Sequence, residues 1–413
     1  MQPALLIRLR PAGPWRFGPG EGGQHRADTI YRSDRLYSAV SLAMQQLGWL
    51  EEWLEATARA ARPEITFGSL FPYQGDTLFA PPPAALWPPA AHLLRASSPV
   101  FLAKIRWSAA CFVPLTLIES LANGQTLLAD RWLPDPESRC LLRRDRPSSS
   151  PFREVTRSSA AVDRITRGTV HVETSVCVEF ESGSGIWTVA RFASESARAA
   201  WHDRVRAAFR LLADSGFGGR RTSGWGKSAA PEFQEGLWPG LLMPKLRTGN
   251  GRSEANGNGE TALYWLLSTY SPASEDAIDW AAGDYRLITR GGRVESSAGS
   301  GAEKKVVQMV SEGSVLAAHA EPVGAAVDVA PDGFAHPVYR SGLALALKLP
   351  AAEINGGPVE TPGEEEAIEP RPCEPVTEPE RAAVSEEISE PASPDTEATP
   401  ETAPEAEAPG DEV

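Results

Sequence analysis

Hydrophobic positions along the chain alternate between two periods. Near the N-terminus Leu5, Ile7 and Leu9 recur every second residue, the spacing of a strand. Leu36, Val40, Ala43/Met44 and Leu47 then recur every three or four residues behind Ser33, a good N-cap, and stop near Gly48, which predicts a helix. Residues 100–116 are apolar with few breaks and read as strand. Val170, Val172, Thr174, Val176, Val178 and Phe180 alternate cleanly, and the turn Ser182-Gly183-Ser184-Gly185 leads into apolar residues 186–192, which predicts a β-hairpin. A second helical stripe, Trp201, Val205, Ala208/Phe209 and Leu212, ends at a glycine-rich loop over residues 216–226.

This order, β-α-β followed by β-β-α-β, predicts an α+β fold built on a ferredoxin-like (RRM-like) unit with an inserted hairpin or thumb. A weaker second copy is expected over residues 261–350, with strands at 262–270, 285–288, 306–310 and 342–349 and a short helix near 275–281. Between the two units, residues 243–260 contain Thr248-Gly249-Asn250-Gly251 and Asn256-Gly257-Asn258-Gly259, a Gly/Asn linker. The N-terminal unit is therefore assigned to residues 1–242, with a proline-rich surface excursion at 81–89 and an Arg/Ser/Pro-rich loop at 133–159.

Charge changes the picture at one end only. Residues 351–413 carry 19 Asp or Glu, 2 Arg and 11 Pro with no Phe, Trp or Tyr, a net of −17. Such a segment buries too little apolar surface to offset chain entropy and is expected to be a disordered acidic tail. The preceding 350 residues hold 38 basic and 35 acidic side chains, a net of +3, so the chain's overall −14 describes the tail. Arg outnumbers Lys 34 to 6 in the chain, and its planar fork suits phosphate and flat rings.

No apolar run reaches the roughly 18 residues of a membrane span, and Arg8 and Arg10 interrupt the first apolar stretch, so neither a span nor a secretory leader is expected. Cys111, Cys140, Cys177 and Cys373 show no paired spacing and no nearby histidine cluster, which argues against zinc and disulfides and for a reducing cytoplasm. No metal or other cofactor is expected.

The strongest local signal is Ser215-Gly-Phe-Gly-Gly-Arg-Arg-Thr-Ser-Gly-Trp-Gly-Lys-Ser228. Its glycines let backbone approach a ligand closely, Arg220, Arg221 and Lys227 add charge, and Trp225 offers a stacking face. A mononucleotide P-loop fails because Arg221 stands where its first glycine belongs, and a dinucleotide fingerprint fails because Pro231 follows where a helix must begin. A polynucleotide backbone remains, held by glycines and an interleaved aromatic. The second signal is residues 139–167, with eight Arg against Asp145, Glu154 and Asp163, a net of +5, read as a basic thumb. Catalytic constellations are sparse. The six histidines are isolated, and only His25 and Tyr31 sit where a general base would be useful.

The glycine-rich loop after a second helix resembles the hallmark loop of the RAMP superfamily of CRISPR-associated RNA-binding proteins. Further segments are similar to those of one family within it, the fourth Csm subunit: Thr29-Ile-Tyr-Arg-Ser-Asp-Arg-Leu-Tyr-Ser-Ala-Val40, Ser69-Leu-Phe-Pro-Tyr73, Val162-Asp-Arg-Ile-Thr-Arg-Gly168, Val310-Ser-Glu-Gly-Ser-Val315 and His336-Pro-Val-Tyr-Arg340. The chain departs from the family pattern at Arg32, where histidine is usual, and at Arg35, where threonine is usual.

The resemblance implies a non-catalytic subunit of a type III-A effector complex. It would hold the repeat-derived 5′ tag of the crRNA, dock the large polymerase/cyclase-domain subunit and adjoin a neighbouring backbone RAMP subunit. The RNA contacts expected are Ser33 and Arg35 at the first helix N-terminus, Arg164 and Arg167 at the hairpin base, and Gly218, Gly219, Arg220, Arg221, Ser223, Trp225 and Lys227 from the loop. The alternatives are a metal-independent RAMP endoribonuclease using His25 or Tyr31, and the equivalent tag-binding subunit of a Cmr-type complex.

Overall fold

The computed structural model describes residues 1–18, 27–97, 99–145, 149–162, 165, 169–247, 261–296 and 299–350. The acidic tail, the Gly/Asn tract from residue 248, His25, Arg164 and Arg167 lie outside the described residues.

The first strand, Gln2–Leu9, lies one in from the edge of the main sheet. It pairs antiparallel with Ser184–Phe192 on one side and with Glu232–Trp238 on the other. The sheet continues from Ser184–Phe192 through Phe71–Gln74 and Thr77–Ala80 to Val113–Pro114, and Ile65–Phe67 also pairs with Ser184–Phe192. Successive side chains of a strand point to opposite faces. Here both faces are covered, which is why residues 4–7 are apolar without a break. Leu5, Ile7 and Leu9 join a cluster with the helices α1 (Ser33–Gln46) and α5 (Glu195–Ser215), while Ala4 and Leu6 join a cluster on the opposite face. The helical stripes read from sequence are the buried ones: Leu36, Val40, Ala43 and Met44 of α1, and Trp201, Val205, Phe209 and Leu212 of α5. Ser194 caps α5, its hydroxyl accepting from the amide of Ala197 at 3.1 Å.

The opposite face is packed by α3 (Val100–Ser108) and α4 (Leu115–Ala122), which follow the short helix α2 (Leu50–Ala56) in the chain. Residues 261–350 put Trp265, Leu267, Val315, Leu345 and Leu347 into that same cluster. Trp187 and Trp265 are almost fully enclosed there, and side chains of that size supply a dominant share of core energetics.

Several local expectations are corrected. Residues 100–116 are not one strand but α3, a two-residue strand and the start of α4. In α3 only Ala103 and Trp107, four apart, are buried, while Phe101 and Ile105 are 61% and 63% exposed, so the apolar run is a one-sided helix. The hairpin exists with a different partner. Thr169–Phe180 pairs with Phe152–Val162, part of the stretch read as loop, while Ser184–Phe192 enters the main sheet. In the C-terminal half the short helix is absent and Ile278–Asp284 is a strand beside Val315–Ala318. Among the described residues 261–350 there are strands and turns but no helix, so the second unit lacks the helices of a ferredoxin-like copy. The proline excursion is also seated: Ala84 donates its amide to the carbonyl of Gly313 at 2.9 Å.

Candidate nucleic-acid interface

The glycine-rich loop is held against residues 11–16 mainly by backbone hydrogen bonds. Gly219 donates to the carbonyl of Arg16 at 2.9 Å, Gly226 to Pro14 at 3.0 Å, and Ala12 to Lys227 at 2.9 Å, with the Trp15 indole on the same Lys227 carbonyl at 3.1 Å. Gly218 and Gly226 have φ of 91° and 81°. A Cβ on Gly218 would stand 2.9 Å from the Arg16 oxygen, and one on Gly226 would overlap the Phe217 carbonyl. The glycines thus serve a backbone-to-backbone seam, and the Gly219 amide is spent there instead of facing an anion. Beneath it, Phe217 packs edge-on to Trp15 and Tyr31 at 4.7 and 5.0 Å between ring centroids.

What this seam positions is a cleft of about 340 Å³ between the loop, α1 and the C-terminal half. Six cations line it: Arg16, Arg35, Arg221, Arg293, Lys304 and Arg340. Among the described residues the acid on its wall is Asp34. Asp34 is buried and already matched: Arg290 donates to it from Nε at 3.0 Å and Nη2 at 2.9 Å, and Arg340 from Nη1 at 2.5 Å. Burial opposes the Asp34 carboxylate, yet the two guanidiniums hold its carboxyl below the usual carboxylate value. Arg35 donates to the carbonyl of Gly18. Burial, followed by repulsion from Arg290, lowers its pKa from the ordinary guanidinium value.

A second consequence concerns the Arg32-Ser33-Asp34 segment. The Ser33 hydroxyl bonds Thr269 Oγ1 at 2.9 Å and accepts the Thr269 amide at 2.9 Å, and the Ser33 amide donates to Ser69 Oγ at 2.8 Å. Arg32 and Ser69 both bond the carboxylate of Glu312. Residues quoted from four separate sequence segments (Arg32 to Asp34, Ser69, Glu312 and Arg340) therefore meet at one buried polar seam that joins the N-terminal sheet to the C-terminal half.

The cleft brings together Arg35, Gly218, Gly219 and Arg221 of the expected contacts. Ser33 is 3% exposed and committed to the seam, a correction to its expected place on the RNA face. Arg220 is turned away from the cleft. It pairs with Glu173 of the hairpin at 2.5 Å and lies over the Trp225 ring at 5.6 Å. Ser223 and Lys227 are exposed but outside the cleft wall. The basic thumb is partly neutralised, since Arg153 and Arg157 both reach Glu179 across the hairpin. The sequence reading did not name Arg16, Arg293, Lys304 or Arg340 as contacts, because they come from loops and strands far apart in the chain, although Arg340 stood in the quoted His336–Arg340 segment. Tyr31 is buried and desolvation pushes its phenol up to about 12, so it supplies almost no phenolate near neutral pH. Among the described residues no cluster of His, Cys, Asp or Glu is arranged to hold a metal, and no helix is long and apolar enough to cross a membrane.

Residues 259–349 match the CRISPR Csm4 C-terminal domain, the part of the chain that supplies Arg290, Arg293, Lys304, Glu312 and Arg340. A protein of Thermococcus onnurineus (strain NA1) described as CRISPR system Cms protein Csm4 is 26% identical over 226 residues, 54% of this chain and 65% of that relative's length. By these two matches the chain is similar to Csm4 proteins. Two crystal structures share the fold of this chain. One is a Csm1-Csm4 cassette in complex with pppApA, at TM-score 0.50 and 16% identity over 85% of this chain and 99% of the matched one. The other is a Csm3-Csm4 subcomplex of the type III-A CRISPR-Cas interference complex, at TM-score 0.53 and 14% identity over 83% and 98%.

Proposed function

We propose that this chain is a Csm4-type subunit of a type III-A Csm effector complex and holds the repeat-derived 5′ tag of the crRNA without cleaving it. The observation that carries the reading is the cleft wall, where the described residues set six cations around one carboxylate that is already paired. Such a surface attracts phosphodiester, and a segment common to every guide can be gripped by its backbone while base pairing of the guide reads the target. The Csm1-Csm4 and Csm3-Csm4 matches support a polymerase/cyclase-domain subunit on one side and a backbone RAMP subunit on the other. In this reading the N-terminal sheet with α1 and α5 is a ferredoxin-like frame, and the complex works in the cytoplasm.

The test is binding of the full chain to a synthetic crRNA carrying the tag, measured across a salt series. Replacing Arg221 and Lys304 together by alanine is expected to weaken binding and to reduce the slope of log K against log salt by about 1.4, from roughly 0.7 per single-strand phosphate contact. Equal affinity and equal slope in wild type and variant would remove the cleft from the reading.

A further inference from the structure

The cleft does not end at its cationic wall. Ser38, Leu42, Arg293 and Lys304 line it and also line a second cavity of about 440 Å³. The two form one groove along the exposed side of α1, where Ser38 and Leu42, four residues apart, share a helix face with Gln45, three residues further on. Chemistry changes along that groove. The first stretch is guanidinium-rich. In the second, Leu42, Leu50 and Leu54 come from the α1–α2 corner, and Val294 and Val338 face them from the C-terminal half. Two phenols complete it, Tyr37, which is buried in the core behind it, and half-buried Tyr339, which offers the aromatic face. Tyr37 is fixed by its hydroxyl on Thr57 Oγ1 at 2.8 Å. Tyr339 receives Arg59 Nε at 3.5 Å, and Arg59 is itself anchored to Glu51 at 3.0 Å and Glu55 at 2.7 Å.

An occupant of this groove must be anionic at one end and apolar, with a flat face, at the other. We propose that the second cavity seats one unpaired base of the bound RNA, its adjoining phosphate lying on Arg293 and Lys304 where the two cavities meet. The inference rests on the RNA-binding reading and adds a base subsite to it. Single-stranded RNA is read by splaying bases out of the stack onto aromatic faces and hydrogen-bonding their edges. The volume falls in the range of small-molecule sites, about 300–1,000 Å³. The exposed Gln45 amide, a donor and an acceptor in one plane, is placed to meet a base edge.

The probe is a synthetic crRNA with an intact tag, together with a series in which one tag nucleotide at a time is abasic. Binding to the full chain is read by fluorescence anisotropy at several salt concentrations. One abasic position is expected to cost roughly tenfold in affinity with no change in salt slope, because base stacking is worth about 1–3 kcal/mol by truncation. Filling the cavity with Leu54→Trp should cost the intact probe the same factor and abolish the abasic penalty. Gln45→Trp, at an exposed position, is the second filling variant should Leu54→Trp not fold. If the intact probe binds with its salt slope but every abasic probe binds equally well, or if the filled variants keep the penalty, the base subsite is overturned while the RNA reading stands. If the wild-type chain shows no salt-dependent binding of the intact probe, the RNA reading itself fails.

Discussion

Asp34→Ala removes the one carboxylate that serves two buried guanidiniums. The side chains of Asp34, Arg290 and Arg340 are 0%, 2% and 6% exposed, so the arginines left behind have almost no access to water. Breaking a buried ion pair by deleting one partner costs about 3–5 kcal/mol, and two orphaned cations place this case at the upper end. Against a total stability of about 5–15 kcal/mol that is a large fraction. Urea unfolding of the full chain followed by tryptophan fluorescence is the assay, with a clear fall in midpoint expected. The pH profile supplies an independent check. Because the native Asp34 carboxyl is held below its usual value near 3.9, its contribution is complete above that unfolded value and is lost as pH falls through the lower native one. Asp34→Asn should therefore lose stability at neutral pH and lack that part of the acid-induced loss. A cost below about 1 kcal/mol for Asp34→Ala would refute the claim that this seam joins the two halves.

Gly226→Ala combines a φ of 81° with overlap of the Phe217 carbonyl, whereas Gly224→Ala, at φ 79°, meets nothing within 4 Å. Left-handed backbone alone costs about 1–2 kcal/mol. Thermal or urea midpoints should show Gly226→Ala well below Gly224→Ala, and equal midpoints would contradict the backbone seam. A double-mutant cycle on Arg220 and Glu173 should return a coupling of about 0.5–1 kcal/mol, modest because Glu173 is 38% exposed; zero coupling would free Arg220 for another role. Cys140 is fully enclosed and burial raises its thiol pKa, so iodoacetamide should modify half-buried Cys111 well before Cys140 in the native chain, and the reverse order would contradict the packing there.

The parts of the fold legible in the sequence are those whose period is set by one buried face. α1 and α5 show it through Leu36/Val40 and Trp201/Val205, and the first strand through Leu5/Ile7/Leu9. Residues 100–108 misled because an apolar helix with exposed Phe101 and Ile105 lacks the polar face that reveals a helical period. The hairpin partner was hidden because Phe152–Val162 is mostly Arg, Thr, Ser and Ala, a two-stranded ribbon largely open to solvent and held partly by cross-strand pairs such as Arg157 with Glu179. At the site, the glycine-rich loop identified the place but not its physics, since Gly218 and Gly226 answer to neighbouring backbone. The Ser33-Asp34 pair was visible as a motif, yet its partners Thr269, Arg290 and Arg340 are more than 230 residues away, and nothing local announces them.

The central claim is that the cationic cleft holds the tag of a guide RNA inside a type III-A complex. Its most direct test is ultraviolet cross-linking with mass spectrometry on complexes purified through this chain from cells expressing the whole operon, with sequencing of the bound RNA. The account predicts RNAs sharing one 5′ repeat-derived end, co-purifying large and backbone subunits, and cross-links on residues lining the groove, from α1, the loop near Arg221, and the Arg293 to Lys304 segment. Recovery of a free chain that cuts precursor RNA, or of cross-links confined to surfaces away from the groove, would contradict it.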